Sequence, residues 1–321
     1  MAMKWGILGA GSVARRRVMP AIQSLDKQSL CSLMVRDIDR AQTIAREFDT
    51  PFYCDSVESL VGNPNVDAVY VSSPVNLHLE HVKRAAEAGK HILCEKPMAL
   101  TSGECREMID ICQTAGVNLQ VCFVLRGWPI YHRVKALIDS GAFGQIIEIR
   151  AHLAKWTERE TDEWRLDPAQ GGGGVLIDVG SHYLDLFRFL VGDFTQIVSL
   201  GGSQVFNWPV EETAFLTVGF ENGAFGVMGL SCNIKHNGNV LEIFGTEGSL
   251  FVGQDLRLVT ADGETTEPLQ FPDYYSGLLA NFYDCVFNGA QPLAPGVDGL
   301  CNMEAIEGAY EAMREGRVIA L

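Results

Sequence analysis

Short apolar runs alternate, in the N-terminal part of the chain, with segments whose apolar residues recur every three or four positions. The runs fall at residues 4–8, 30–35, 68–72, 92–94 and 118–124, and the periodic segments at 12–24, 40–48, 77–88 and 102–115. Runs this short suit strands buried on both faces, and strand–helix alternation predicts a parallel sheet wrapped by helices. Gly89 and Gly116 stand where helix C-caps are expected.

Beyond about residue 144 the pattern changes. Period-two or short apolar stretches at 145–154, 213–220, 226–231 and 240–244 are separated by turn signals such as Glu221-Asn222-Gly223 and Ala261-Asp262-Gly263, which predicts an antiparallel sheet. Periodic segments at 131–140, 175–190, 276–288 and 300–314 are expected to cover part of it. The fold class that follows is a doubly wound α/β domain over 1–122 and an α+β domain over 123–321, built on a large, mostly antiparallel, open-faced sheet.

Length agrees with two domains, since 321 residues exceed what one core usually organises. No run approaches the roughly 20 uncharged residues of a membrane span, and residues 1–5 enter a strand pattern at once, so neither a span nor a signal peptide is expected. A formal net charge of -15, with no basic patch to offset it, repels a phosphate backbone and argues against nucleic acid as a partner. The nine cysteines are an odd number without C-x-x-C spacing. That argues against a disulfide framework and a structural zinc site, and fits a reducing cytoplasm.

The sharpest local signal is Gly9-Ala10-Gly11-Ser12-Val13-Ala14, which matches G-x-G-x-x-A, follows an apolar run and opens a periodic segment. In that setting Gly9 permits the tight turn, Gly11 lets backbone approach a pyrophosphate, and Ala14 keeps helix and strand close; Ser12 and Val13 begin the helix that meets the phosphates. Residues 1–122 are therefore expected to form a dinucleotide-binding Rossmann domain. The choice between NAD and NADP is written at the end of the second strand, where a carboxylate would hold the ribose 2′-hydroxyl. Val35 occupies that place, while Arg36 and Arg40 offer planar donors to a 2′-phosphate, so NADP is preferred with NAD as the alternative. Asp37 keeps the alternative open, because a register one or two residues off makes it the ribose ligand.

Further motifs follow in order: Ser73-Pro74-Val75-Asn76-Leu77-His78, Cys94-Glu95-Lys96-Pro97, Trp164-Arg165, Gly172-Gly173-Gly174-Val175-Leu176-Ile177-Asp178-Val179-Gly180-Ser181-His182 and Gly245-Thr246-Glu247-Gly248-Ser249-Leu250. With these the chain resembles, over essentially its whole length, the Gfo/Idh/MocA family of glucose–fructose oxidoreductase and inositol dehydrogenase relatives. The resemblance implies that Lys96 lies beside the nicotinamide and polarises or protonates the substrate oxygen. It implies also that Asp178 and His182 supply the main proton donor and its neighbour, and that the second-domain sheet makes a homo-oligomer, dimer or tetramer. Ser73, Asn76, His78 and Glu95 are further expected cofactor contacts, and Arg126, Trp164 and Arg165 expected substrate contacts. The glucose–fructose oxidoreductase branch has tyrosine where this chain has His182, so the dehydrogenase branches are closer. Phe123-Val124-Leu125-Arg126 departs from relatives that carry a polar residue before the arginine, which leaves the role of Arg126 open.

The chemistry of these residues suits hydride transfer. Taking a hydride from a carbinol needs a base for the hydroxyl proton, and a histidine titrating near 6.5 does that work near neutrality. On a helix over 175–190, Asp178 and His182 at i and i+4 share a face, so the carboxylate would orient the ring and favour imidazolium; an ordinary surface ion pair is the alternative. The four glycines at 171–174 suggest close backbone approach to something. Lys96 stands at the carboxyl edge of the sheet, where doubly wound folds place ligands, and Pro97 stiffens its turn. Trp156, Trp164 and Arg165 suit a sugar pocket through stacking and donor contacts. Asp178, His182 and Asp185 align on one face, yet no H-E-x-x-H or cysteine cluster accompanies them, so no metal is expected. The expected function is hydride transfer between NADP or NAD and a sugar, polyol or keto-sugar. An NAD-dependent glycosidase on the same fold and a non-catalytic dinucleotide-binding redox sensor are the rivals.

Overall fold

Six strands make the first sheet: β1 (Met3–Leu8), β2 (Gln28–Met34), β3 (Phe52–Cys54), β4 (Ala68–Val71), β5 (His91–Cys94) and β6 (Leu119–Val121). Their order is β3-β2-β1-β4-β5-β6 and every neighbouring pair is parallel. This is the doubly wound arrangement the apolar runs predict. The computed structural model describes residues 2–159, 163–235, 240–269 and 273–321; the pocket-shaping loop expected at 155–170 lies partly outside them.

Local chemistry explains the sharper boundaries. The helix expected at 102–115 is Ser102–Ala115: the Thr101 side chain accepts the Glu104 N–H at its start, and Gly116 ends it at φ +67°, a left-handed conformation that glycine adopts without strain. The edge strand β3 left no signal in the sequence because Phe52 and Tyr53 are exposed there.

The chain divides into two units, 1–127 with 273–301 and 128–272 with 302–321. The segment 273–301, assigned from the sequence to the second domain, thus packs with the first. Its helix, Tyr274–Phe287, sets Phe282 5.3 Å from the Trp5 ring and takes a hydrogen bond from Gln28 Nε2 at the Leu279 carbonyl. Burial of Leu278, Leu279 and Phe282 against the parallel sheet draws it there.

The second unit is built on nine strands: β7 (Ile146–Ala154), β8 (Phe194–Gly202), β9 (Thr213–Phe220), β10 (Phe225–Ser231), β11 (Val240–Gly245), β12 (Gly248–Val252), β13 (Asp255–Thr260), β14 (Gly263–Pro268) and β15 (Ile319–Ala320). Their order is β14-β13-β12-β11-β7-β10-β9-β8-β15, antiparallel throughout except for β7 with β10. One face is covered: a Cβ on Gly226 would meet Phe187, and one on Gly201 would meet Met313. On the other face Leu200, Phe215, Phe225 and Val227 are exposed. No helix among the described residues is long and apolar enough to cross a membrane.

Candidate active site

Parallel strands carry their carboxyl ends on one edge, and the loops leaving that edge hold the expected cofactor residues. Gly9 leaves β1 at φ +88°, and a Cβ there would come within 2.9 Å of the Ser72 carbonyl oxygen. Its glycine is demanded by the neighbouring loop. Gly11 differs, because nothing lies within 4 Å of a Cβ built on it. The fold leaves that space open beside the first helical turn at Ser12 and Val13, and a pyrophosphate would fill it. These residues fit a dinucleotide. Ala14 is buried and begins a π-helical turn, Ala14–Val18, that apolar periodicity does not reveal.

At the end of β2 the Asp37 carboxylate caps the helix Ile38–Glu47, accepting the Arg40 N–H at 3.0 Å. Arg36 and Arg40 are exposed and Val35 is partly buried. After β4, Ser73 is buried with its Oγ 2.9 Å from His81 Nδ1, and Asn76 is exposed on the short turn Val75–Leu77. Burial lowers the His81 pKa to about 4, so its ring is neutral at neutral pH.

His78 is 1% exposed, with Nε2 2.9 Å from the Ser73 carbonyl and Nδ1 3.1 Å and 3.2 Å from those of Pro97 and Met98. Burial pushes its pKa down, and a neutral ring donates through one nitrogen only. Whichever nitrogen carries the proton donates to main chain, Nε2 to the Ser73 carbonyl or Nδ1 to those of Pro97 and Met98, and the Cys94 Sγ lies 3.6 Å from Nδ1. His78 is therefore a brace between the β4 loop and the 97–98 turn, where a cofactor contact was expected. Glu95 likewise turns to the protein: Tyr70 Oη and the Lys96 N–H donate to its carboxylate. Burial pushes that carboxyl above its usual range, against the pull of the Tyr70 bond and the Lys96 charge. The pair anchors the turn that carries the partly exposed Lys96.

Arg126, an expected substrate contact, is 6% exposed. Its Nη1 donates to Asp298 Oδ2 at 2.7 Å and to the Leu293 carbonyl at 2.9 Å. A buried guanidinium needs a matched anion, and this one fastens the 273–301 segment to its unit.

In the second unit, the helix expected at 175–190 is a π turn, Leu176–Gly180, running into an α-helix, Ser181–Val191. Asp178 lies in the first and His182 in the second. The Glu211 carboxylate caps the start, accepting the N–H of Gly174 at 3.0 Å and of Leu176 at 2.9 Å and the Tyr310 hydroxyl at 2.9 Å. An anion there also complements the helix dipole. The glycine run follows: Gly172 has φ +85°, and a Cβ on Gly173 or Gly174 would collide with Tyr310 Oη or the Glu211 carbonyl oxygen. The close approach expected of these glycines is to the protein's own chain.

Asp178 Oδ2 accepts from Arg159 Nη2 at 2.7 Å. Arg159 Nη1 donates to Glu163 Oε1 at 2.6 Å, which also takes Arg165 Nη1 at 3.0 Å, and the Arg165 guanidinium lies 4.3 Å from the Trp164 ring centroid. A small, partly open cleft is lined by Arg159, Arg165, Asp178, Trp208 and Cys232, with apolar neighbours. Trp208 stacks on Phe206 at 4.7 Å, and Trp156 meets Phe206 edge-on at 5.0 Å. The loop that carries Phe206 and Trp208 is held by the fully buried Glu212, which accepts the Val205 and Phe206 N–H groups at 2.8 Å, Ser203 Oγ at 2.5 Å and Asn233 Nδ2 at 2.9 Å. Burial opposes its ionisation, but these bonds outweigh it and hold the carboxyl at about 2.

The sequence points to Asp178, Trp156, Trp164 and Arg165 in this cluster and not to Arg159, Trp208, Glu211 or Glu212. Only Arg159, four residues before Glu163, left a readable spacing. Among the described residues no three His, Cys, Asp or Glu side chains gather as a metal site would require.

Comparison with known proteins bears on both units. Residues 3–123 match the oxidoreductase family with an NAD-binding Rossmann fold, and residues 131–251 match the GFO/IDH/MocA C-terminal domain. The chain is similar to 1,5-anhydro-D-fructose reductase of Ensifer adhaerens, with 33% identity over 94% of this chain and 93% of that one. It is also similar to scyllo-inositol 2-dehydrogenase (NAD(+)) of Bacillus subtilis, with 27% identity over 99% and 96%. Among solved structures, the aldose–aldose oxidoreductase of Caulobacter crescentus complexed with glycerol superposes with a TM-score of 0.92 at 28% identity, covering all of both chains. The chain belongs to the Gfo/Idh/MocA family of NAD(P)-dependent oxidoreductases.

Proposed function

We propose that the protein transfers a hydride between NADP and a neutral sugar, polyol or keto-sugar. The observation that carries the substrate class is the Asp178 cleft. Its two guanidiniums, Arg159 and Arg165, are matched by the carboxylates Asp178 and Glu163, and Trp208 adds an aromatic wall. Balanced charge with many donors and acceptors suits hydroxyl groups better than a carboxylate or phosphate, and a ring face suits the C–H face of a sugar. Similarity to the anhydrofructose, inositol and aldose enzymes supports the same class. NADP is favoured because Asp37 is already engaged as a helix cap while Arg36 and Arg40 are exposed beside the β2 end.

When bound, the nicotinamide accepts or returns the hydride. In the oxidative direction His182 takes the substrate hydroxyl proton, and in the reductive direction it gives the proton back. Asp178 stabilises the ring's charged form, and the Lys96 cation stabilises charge that develops on the substrate oxygen. The exposed apolar face formed by Leu200, Phe215, Phe225 and Val227 supports association into a dimer or tetramer, which light scattering would measure.

A cofactor-reduction screen of neutral sugars and polyols, with NAD and NADP side by side, tests the reading. Turnover should fall by about 10²- to 10⁴-fold in His182→Asn and at least about 10²-fold in Lys96→Met, with dinucleotide binding retained in both. Arg36→Ala should weaken NADP more than NAD by roughly 1 to 3 kcal/mol. Tighter NAD binding by the unmodified protein would refute the cofactor choice, and phenol release from aryl glycosides without net cofactor reduction would refute the reaction.

A further inference from the structure

We propose that Arg159 is a positioning residue of this reaction, holding the Asp178 carboxylate in place as an anion through a guanidinium that Glu163 itself holds. The inference rests on the roles given above to Asp178 and His182. Asp178 lies in the first turn of its helix, where backbone donors ordinarily orient a carboxylate, but Glu211 already takes the N–H groups of Gly174 and Leu176. The Asp178 N–H is committed to the Gly174 carbonyl at 3.0 Å. Arg159 donates to the Asp178 carboxylate from outside the helix, at 2.7 Å.

The fork geometry makes the residue type matter. One terminal nitrogen of Arg159 serves Asp178 and the other serves Glu163 at 2.6 Å, so the guanidinium plane is held at two points. A lysine ammonium is a single point on a flexible stem and cannot span both carboxylates with the same fixed angles. With side-chain exposures of 19% for Arg159, 27% for Glu163 and 30% for Asp178, the chain of charges is partly withdrawn from water, where such pairs outweigh surface ones. Arg159 and Asp178 both line the cleft, so a bound substrate withdraws them further.

Other ionisable groups near the cleft explain the direction of the effect. Arg165 and Glu163 come from the segment before the helix, Glu211 and Glu212 from the approach to β9, Cys232 from the end of β10 and His182 from the helix itself. The Cys232 thiol is pushed to about 11 by burial and by Glu212, and Tyr310, bonded to Glu211, is pushed well above its usual range by burial, so both stay neutral. Without Arg159, Asp178 would keep anionic neighbours and lose a cation, which favours its protonated form.

The test compares Arg159→Met, Arg159→Lys, Arg159→Ala and His182→Asn, using the sugar turned over fastest in the screen. kcat and KM are followed from about pH 5 to 9, with dinucleotide titration and thermal melts as controls. Arg159→Met should lower kcat by about 10- to 100-fold, change KM by less than about threefold, and move the acid limb of the kcat profile up by about one unit. Dinucleotide affinity should be unchanged. Arg159→Lys, which keeps a cation but not the fork, should move the acid limb back toward that of the unmodified protein while recovering only part of kcat, and added guanidinium ion should raise kcat of Arg159→Ala. A pH profile that superimposes on the unmodified protein's, or a loss confined to KM or to melting temperature, overturns the proposal. If His182→Asn is inactive while Arg159→Met behaves normally, the proposal alone fails. If His182→Asn stays active, or no sugar is turned over, the underlying reading fails and takes the proposal with it.

Discussion

The two glycines of the fingerprint should respond to the same substitution in opposite ways. In Gly9→Ala the new methyl must adopt φ +88°, which costs an L-residue about 1–2 kcal/mol, and it meets the Ser72 carbonyl oxygen at 2.9 Å. Both partners are main chain and neither can rotate away, so crowding adds about 1–3 kcal/mol. The sum, roughly 2–5 kcal/mol, corresponds to a melting temperature lower by about 5–15 °C for a unit of this size. Gly11→Ala meets nothing within 4 Å and needs no left-handed backbone. It should leave the melt of the unliganded protein unchanged or raise it by up to about 1 kcal/mol, because alanine restricts the unfolded chain. The same methyl would stand where a pyrophosphate approaches, and dinucleotide affinity should fall at least tenfold, about 1.4 kcal/mol. Scanning calorimetry without ligand and fluorescence titration with NADPH and NADH separate the two effects. A Gly11→Ala protein that melts early, or that binds both dinucleotides normally, would refute the assignment of Gly11 to the ligand.

Three other perturbations probe the scaffold. Glu211→Ala removes the acceptor of two amides and of the Tyr310 hydroxyl and should destabilise by about 2–4 kcal/mol in denaturant titration, with Tyr310→Phe costing about 1; equal stability would show that the helix start is held by other groups. Gln120 is fully buried, and neither atom of its amide has a partner among the described residues, so Gln120→Met should be neutral or stabilising by about 1 kcal/mol; a loss above that size argues against an uncompensated amide. Glu212, held at about 2 against a usual 4.5, contributes stability that is present above pH 4.5 and lost as pH falls toward 2. The melting temperature of the unmodified protein should therefore drop over that window more steeply than that of Glu212→Gln, and parallel curves would contradict the assignment.

What the sequence by itself determined is what leaves a local or periodic trace. Five strands of the parallel sheet and the helix Ser102–Ala115 were legible because burial on both faces demands apolar runs and because caps such as Thr101 and Gly116 follow backbone geometry. The turn at Gly9 was legible from the motif between an apolar run and a periodic segment, and the motifs around Lys96, Asp178 and His182 were visible as strings of residues. Tertiary structure decided the rest, since contacts between distant positions impose no period on either partner. Helix Tyr274–Phe287 presents an apolar surface that fits either unit, and only packing on Trp5 assigned it to the first. His78 and Arg126 carry groups that suit a ligand as well as a brace; burial among the carbonyls of Ser73, Pro97 and Met98, and beside Asp298, made them braces. The glycines 171–174 announced a close approach without naming the partner, which for Gly174 proved to be Glu211 and for Gly173 Tyr310, 137 residues further along. Arg159 acquires its place beside Asp178 in the same way, because a salt bridge across 19 residues of loop and helix is specified by the path of the chain and not by the residues between.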